Sequence, residues 1–182
     1  MIAETERLII RNWRASDWRD LAEILTDENV VYYEPYAVFT VAECRDEAIK
    51  FARSNNFFAV ELKSKKKVIG KIYFNNENYF DTYDLGYTFN ADFQGKGYAT
   101  EGIRAFFEYA FAHMPVRRIT CSAQVENEKS WKLLERLGFR REGHHLKTSW
   151  KFTDENGDPI WMDTYSYALL REEFEEKKQI KS

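Results

Sequence analysis

The sequence has few of the features that mark several large classes of protein. It contains two cysteines and three prolines in 182 residues, and the isolated Cys44 and Cys121 do not make a disulfide framework. No apolar run approaches the roughly 18 residues of a membrane-spanning helix. The first residues include Glu4, Glu6 and Arg7 and lack the apolar centre of a signal peptide. We therefore expect a cytoplasmic protein without membrane contact.

An excess of basic charge is also missing. The formal net charge is −3, and residues 63–67 form the one strongly basic segment. Because nucleic-acid binding depends on a basic face, no nucleic-acid partner is expected. His113, His144 and His145 show no metal-ligand spacing with acids or cysteines, so no metal site is expected. The Gly-x-Ser-x-Gly motif of a nucleophile elbow is absent as well.

Apolar and aromatic residues, in contrast, are abundant. Hydrophobic residues make up 44% of the chain and aromatic residues 16%, which suits a packed core and an aromatic-lined cleft. The length fits one domain, since most domains have about 50–250 residues. The predicted order is strand, two helices, three strands, helix, strand, helix and two strands. This order predicts an α/β (α+β) fold with a mixed central β-sheet of about seven strands flanked by helices.

The element boundaries rest on hydrophobic periodicity and on capping and turn signals. Thr40-Val-Ala-Glu43 is a capping box, Ser16 is a predicted N-cap, and Gly138 is a predicted left-handed residue after a helix. Residues 30–36 predict an aromatic loop, either a surface loop that packs its own tyrosines or a wall over a cleft. Residues 76–81 predict a polar connection, and residues 171–182 a charged tail with a short helix or no structure.

The stretch from Asp84 to Glu101 joins a predicted strand to the start of a predicted helix. Gln94-Gly-Lys-Gly-Tyr-Ala-Thr100 lies between them, and its glycines permit positive φ and a close approach to a ligand. First-turn N–H groups have no intrahelical partner and carry the positive end of the helix dipole. The stretch therefore predicts a pocket for a phosphate or pyrophosphate, with a purely structural turn as the alternative. Thr100 occupies the place of a third glycine, which excludes the dinucleotide fingerprint, and no nucleoside-triphosphate loop is present.

Two motifs and both ends of the chain resemble one family. Gln94-x-x-Gly97-x-Ala99 resembles the acyl-CoA loop of the GNAT superfamily of N-acetyltransferases. The segment from Asn127 to Phe139 resembles the family pattern Asn-x-x-Ala/Ser-x-x-Leu-x-x-x-x-Gly-Phe. The stretches 5–11 and 161–173 resemble the Rim-type branch, which includes acetyltransferases of ribosomal-protein N-termini. The resemblance covers about residues 4–174 and leaves 175–182 as a charged tail of a single N-acetyltransferase domain, 1–182.

The resemblance implies the GNAT acyl-CoA N-acyltransferase fold, acetyl-CoA as cosubstrate, and acetyl transfer to a primary amine by direct attack on the thioester. It implies a splay between the two central strands, where N–H groups at 87–89 act as an oxyanion hole. Asn127 would hold the pantetheine arm, although it also suits a plain N-cap. The cofactor-binding residues implied in this way are Tyr87, Thr88, Phe89, Gln94, Gly95, Lys96, Gly97, Tyr98, Ala99, Thr100, Asn127 and Ser130.

The general acid departs from the family pattern, whereas Asp84 matches the acidic position that often precedes Gly-Tyr on the family's central strand. Many GNAT enzymes place a tyrosine general acid where this chain has Leu134. Ser130, one helical turn earlier, is a candidate donor to the CoA thiol, or only a small residue that packs near the cofactor. Asp84 is the first candidate base and Glu34 the second. An α-amine, with a pKa near 8, has enough neutral form to react without a base.

The sequence does not identify the amine acceptor or the oligomeric state. A peptide N-terminus and a small amine such as a polyamine both fit, and the acidic Glu34, Asp81 and Asp84 suit a cationic acceptor. Because Leu134 replaces the general-acid tyrosine, the alternative function is a non-catalytic acyl-CoA-binding or sensing module. The aromatic surplus leaves room for a homodimer.

Overall fold

The computed structural model describes residues 1–77 and 80–179. The strands are β1 (Ala3–Glu4), β2 (Leu8–Asn12), β3 (Phe57–Leu62), β4 (Lys67–Asn76), β5 (Thr82–Phe89), β6 (Arg118–Gln124), β7 (Arg140–Thr153) and β8 (Pro159–Leu170). The helices are α1 (Trp18–Leu25), α2 (Glu28–Val31), α3 (Val41–Arg53), α4 (Tyr98–His113), α5 (Glu128–Leu137) and α6 (Arg171–Gln179). Short 3-10 turns lie at Ala15–Asp17 and Ala91–Phe93.

All eight strands belong to one sheet, in the order β1-β2-β3-β4-β5-β6-β8-β7. Neighbouring strands run antiparallel except β5 and β6, which are parallel. The mixed sheet of an α/β fold is therefore confirmed, but the predicted count of about seven strands is one too low. The additional strand, β1, has only two residues, which is too short to show the alternation that identifies a strand in sequence.

Helices cover both faces of the sheet, as predicted. On one face α4 and α5 pack through Phe106, Phe107 and Leu134, each fully buried. On the other face α1 and α3 bury Leu21, Ile24, Leu25, Cys44 and Ala48 against β3 and β4. The sheet is thus the middle of three layers.

Two local predictions in the first third of the chain are wrong or incomplete. Ser16 is not the N-cap of α1, because a 3-10 turn at Ala15–Asp17 precedes that helix. The carboxylate of Asp17 accepts hydrogen bonds from the main-chain N–H of Arg14 at 2.8 Å and from the buried guanidinium of Arg11 at 2.7 Å. The predicted aromatic loop overlaps α2, a one-turn helix whose N-cap is Asp27.

Other capping predictions are confirmed. The Thr40–Glu43 capping box is formed, and Gly138 ends α5 with φ of +102°. The tail is helical to Gln179, and Phe174 packs on the core. Residues 78 and 79 of the predicted polar connection, and 180–182 of the tail, lie outside the described residues.

The β7–β8 hairpin forms one edge of the sheet and carries several exposed apolar side chains. These are Leu146, Trp150, Phe152, Ile160 and Trp161. The homodimer stays a prediction. Within the described ranges 1–77 and 80–179, no helix combines the length and the apolar character that crossing a membrane requires.

Candidate active site

A gap opens between the two central strands. β5 and β6 pair only through Thr82↔Arg118, Tyr83↔Ile119 and Asp84↔Thr120. Beyond that point β5 continues to Phe89, while its other edge stays paired with β4 as far as Gly70↔Phe89. The second half of β5 therefore has a strand neighbour on one side only, as the predicted splay requires.

The register identifies which main-chain groups face the gap. The N–H of Asn90 donates to Ile69 O at 3.0 Å, and Thr82 O accepts from the N–H of Glu77 at 3.0 Å, so even-numbered positions face the β4 edge. Consecutive residues of a strand direct these groups to opposite edges. The N–H groups of Tyr87 and Phe89 therefore face the gap. The N–H of Thr88 points to β4. Two of the three N–H groups at 87–89 that were expected to form the oxyanion hole therefore face the gap.

The glycine loop lies at the end of this gap. Gly95 and Gly97 have φ of +72° and +80°, and Gly97 immediately precedes α4. The side chain of Gln94 donates to Phe89 O at 3.0 Å and so caps a carbonyl at the mouth of the gap. Lys96 differs from expectation, because its ammonium donates to Asp92 O at 2.7 Å and the residue does not line the cleft.

Arg7 is a residue that the sequence did not single out as functional. Its guanidinium donates to the carbonyl of Lys96 at 3.1 Å, forms an ion pair with Glu101, and lies 4.5 Å from the centre of the Tyr98 ring. Thr5 also donates to Glu101, at 2.5 Å. The segment before β2 thus holds the start of α4 in place. The resemblance of residues 5–11 to the family was the available signal.

The opposite wall of the gap is the first turn of α5. Asn127 is the N-cap, and its side chain accepts from the N–H of Ser130 at 3.3 Å. The Oγ of Ser130 lies 2.8 Å from the hydroxyl of Tyr87. Burial raises the pKa of the Tyr87 phenol well above its ordinary value, so this hydroxyl keeps its proton at neutral pH. Leu134 is fully buried and offers no proton.

Asp84 stands at the closed end of the gap. It lines the cleft, and burial, reinforced by the negative charge of Glu77, raises the pKa of its carboxyl to about 6. A hydrogen bond from Thr120 opposes the shift without cancelling it. A carboxyl with this pKa is mostly ionised at pH 7 and still basic enough to accept a proton, which suits a general base.

Glu34, the second candidate, belongs to a separate cluster. Its carboxylate accepts from the hydroxyl of Thr88 at 3.0 Å, and the hydroxyl of Tyr36 accepts from the ammonium of Lys71 at 2.9 Å. Thr88 is four residues from Asp84 on the same strand, which corresponds to about 13 Å. The two candidate bases are therefore not a pair.

A single cleft of about 1610 Å³ connects these parts. That volume exceeds the roughly 300–1,000 Å³ of common small-molecule pockets, so two substrates fit together. The predicted residues that line it are Glu34, Asp84, Tyr87, Thr88, Phe89, Gln94, Gly95, Gly97, Tyr98, Ala99, Thr100, Asn127 and Ser130. Within the described part of the chain, no cluster of three or more His, Cys, Asp or Glu side chains could hold a metal ion.

The family model described as "Acetyltransferase (GNAT) domain" matches residues 7–140. The chain belongs to the GNAT family of acetyltransferases. The predicted family and fold are confirmed, and acetyl-CoA is the cosubstrate that GNAT enzymes use. The protein is accordingly an N-acetyltransferase.

Two similar proteins match this GNAT chain almost end to end. The uncharacterized N-acetyltransferase YnaD of Bacillus subtilis is 36% identical over 171 residues, which cover 93% of this chain and 97% of that protein. The crystal structure of a GNAT-family acetyltransferase from Bacillus anthracis superposes with a TM-score of 0.84 at 35% identity. That match covers 95% of this chain and all of the other.

The names of two relatives state different acceptors. The [ribosomal protein uS5]-alanine N-acetyltransferase of Escherichia coli is 32% identical over 90 residues, 48% of this chain and 46% of that protein. The spermidine N(1)-acetyltransferase of Vibrio cholerae is 28% identical over 142 residues, 76% of this chain and 82% of that protein. The likeness to the Rim-type branch is thus confirmed, and the acceptor is not fixed by it.

Proposed function

We propose that this acetyltransferase moves the acetyl group of acetyl-CoA to a primary amine by direct attack on the thioester. The observation that carries the proposal is the gap beside β5, which is continuous with the glycine loop at the start of α4 in one cleft. The pantetheine arm would lie along the free edge of β5, where a neighbouring strand would otherwise pair. Asn127, at the start of α5, would hold the arm from the other wall.

The loop from Gln94 to Thr100 would bind the pyrophosphate of acetyl-CoA. Gly95 and Gly97 adopt positive φ there, and α4 begins at Tyr98 with its first N–H groups free of intrahelical partners. The partial positive charge of a helix N-terminus stabilises an anion at this place.

The chemistry then needs a neutral amine, a stabilised oxyanion and a protonated leaving thiolate. The amine nitrogen attacks the thioester carbon, and Asp84 accepts the proton that the new ammonium loses, directly or through a water. The N–H of Tyr87 donates to the oxyanion, a contribution of about 2.7–4 kcal/mol for one such donor. The C–S bond breaks as the amide forms. Glu34 accepts from Thr88, about 13 Å along the strand from Asp84, and belongs to the acceptor wall in this scheme.

The leaving thiolate would receive its proton from the hydroxyl pair of Ser130 and Tyr87. The two oxygens lie 2.8 Å apart on the wall of the gap, so Tyr87 can replace the proton that Ser130 gives up. Because burial raises the pKa of Tyr87, its phenolate takes a proton back from water in the cleft before the next turnover. This pair would do the work of the tyrosine that the family pattern places at Leu134.

We expect Tyr87→Phe and Ser130→Ala each to lower kcat by about tenfold and to leave the KM for acetyl-CoA nearly unchanged, because each removes one member of a single proton path. For the same reason the double variant should also lose about tenfold rather than a hundredfold. The measurement is steady-state thiol release by all four proteins.

Tyr83→Phe is the matched control for these variants. Tyr83 lies four residues earlier on the same face of β5, stacks on Phe74 and does not line the cleft, so its kcat should equal that of the parent. Independent losses that multiply in the double variant would argue against a shared proton path.

The proposed function is tested by incubating acetyl-CoA with an N-terminal alanine peptide, spermidine and a simple alkylamine. We expect free thiol and acetylated amine to appear in equal amounts with at least one acceptor. An acyl-CoA-binding or sensing module would bind acetyl-CoA in calorimetry and release no thiol with any of them. That result would refute the proposal.

We also propose that residues 4–174 make one catalytic domain, with the charged tail outside its core. The support is the single sheet that runs from β1 to β8 and the packing of Phe174 against Phe107 and Phe111.

A further inference from the structure

Lys71 is a buried cation in the wall of the cleft. It lies in the middle of β4, opposite Thr88 of β5, and only 5% of its surface is exposed. It nevertheless lines the cleft. Lysine is seldom buried to this extent unless it is paired, so the contacts of its ammonium decide why it is there.

The ammonium of Lys71 has one close polar partner among the described residues, the hydroxyl of Tyr36 at 2.9 Å. It also lies 5.0 Å from the centre of the Tyr36 ring and 5.8 Å from that of Phe51. It forms no ion pair with a carboxylate that the structure describes. An ammonium has three N–H donors, so its hydrogen-bonding capacity is not filled by Tyr36.

This arrangement costs folding free energy. Burial lowers the pKa of Lys71, and the attraction of Glu34 only partly offsets it. An ammonium that is buried with no carboxylate in contact costs free energy that an apolar side chain of similar volume would not. Lys71 is therefore poorly explained as a device for stability, and its place in the cleft points to a ligand.

Lys71 lies where it would contact the acceptor rather than CoA. Thr88 and Gly86 are two residues apart on one face of β5, about 7 Å, and Gly86 pairs with Tyr73. Gly86 has no side chain, and the side chain of Tyr73 lies 3.4 Å from the place of the missing Cβ. Both residues line the cleft beside the N–H of Tyr87, where the thioester is proposed to lie. A group attached to the attacking amine would extend from there toward Lys71.

The charges of the cluster indicate the kind of group. Glu34 lies near Lys71, joined to it through the hydroxyls of Tyr36 and Thr88. Glu47 also acts on the ammonium of Lys71 and pairs with Lys50, while Lys151 lies beside Glu34, so cations already balance the two carboxylates. A neutral oxygen can accept an N–H of Lys71 without disturbing that balance. A polyamine offers no acceptor oxygen and brings a second positive charge beside the ammonium.

We propose that Lys71, supported by Tyr36, binds the carbonyl oxygen next to the reacting amine, so that the enzyme selects acceptors of the α-aminoacyl type, such as a peptide N-terminus. This inference rests on the proposed acetyl transfer and specifies its acceptor. Lys71 is a specificity residue here and takes no proton in the reaction.

The test compares the parent with Lys71→Met on an N-terminal alanine peptide, propylamine and spermidine, with each rate expressed per concentration of neutral amine. The parent should prefer the peptide. Lys71→Met should lower kcat/KM for the peptide by about tenfold, mainly through KM, because it removes a hydrogen bond from a charged donor. The rate with propylamine should change less than twofold.

Lys67→Met is the control, because it removes the same charge from the first residue of β4, where Lys67 pairs with Asp20 and Glu23 outside the cleft. Its acceptor preference should match that of the parent. Equal losses with all three amines, or an unchanged rate with the peptide, would overturn the role of Lys71 while leaving acetyl transfer intact. A parent enzyme that releases thiol with none of the amines would overturn both proposals.

Discussion

Replacing Gly97 with valine is expected to weaken acetyl-CoA binding by about 100-fold, or about 2.7 kcal/mol. Gly97 has φ of +80°, a conformation that costs a β-branched residue about 1–3 kcal/mol. A Cβ added at this position would lie 3.5 Å from the guanidinium of Arg7, an ordinary van der Waals contact, so the Cβ itself causes no clash. The strain would instead turn the loop and misdirect the first N–H groups of α4. Titration calorimetry with acetyl-CoA measures the effect.

Gly157→Val separates loss of the site from loss of stability. Gly157 has φ of +87° and lies in the β7–β8 turn, where an added Cβ meets nothing within 4 Å. Both variants should lower the unfolding temperature by a similar amount, and only Gly97→Val should lose affinity. Binding by Gly97→Val within threefold of the parent would contradict the assignment of the loop to the pyrophosphate.

Asp84→Asn should lower kcat by about 100-fold at pH 7, at the lower end of the range for a general base. The pKa of Asp84 is raised to about 6, and the carboxyl must be ionised to accept a proton, so activity is lost as the pH falls through 6. An α-amine with a pKa near 8 adds its own loss. A plot of log kcat/KM should therefore rise with slope two below pH 6 and slope one between 6 and 8.

Two variants test whether Asp84 is the group that titrates near pH 6. In Asp84→Asn the region of slope two should disappear and slope one should continue below pH 6. Glu77→Gln removes a negative charge that raises the pKa of Asp84, so the lower inflection should move to more acidic pH with little loss of kcat. An Asp84→Asn enzyme that keeps the steep acidic limb would show that another group titrates.

The sequence predicted those parts of the site that depend on local rules. Positive φ at Gly95 and Gly97 and an N-cap at Asn127 follow from residue type and spacing, and the structure has all three. The gap beside β5 was expected only from the family resemblance, because strand divergence depends on long-range packing.

The missed parts are contacts between residues distant in sequence. The hydroxyl of Tyr87 meets Ser130 across 43 positions, and no local pattern links them. Arg7 holds a loop about ninety residues away, and nothing in the strand pattern around Lys71 indicates that its side chain is buried. The ammonium of Lys96, a predicted cofactor-binding residue, donates to a carbonyl of its own loop, and its role at the phosphates stays a prediction.

The three-pair ladder between β5 and β6 has a consequence for solvent exchange. Along the second half of β5, alternate amides face a full strand and an open channel, so one strand should contain a slow and a fast class of deuterium uptake. The amide hydrogens of Tyr87 and Phe89 belong to the fast class. Bound acetyl-CoA should slow deuterium uptake at Tyr87 and Phe89 and leave the uptake rate of Thr88 unchanged. That result would show that the cosubstrate pairs with β5 in the position of a ninth strand.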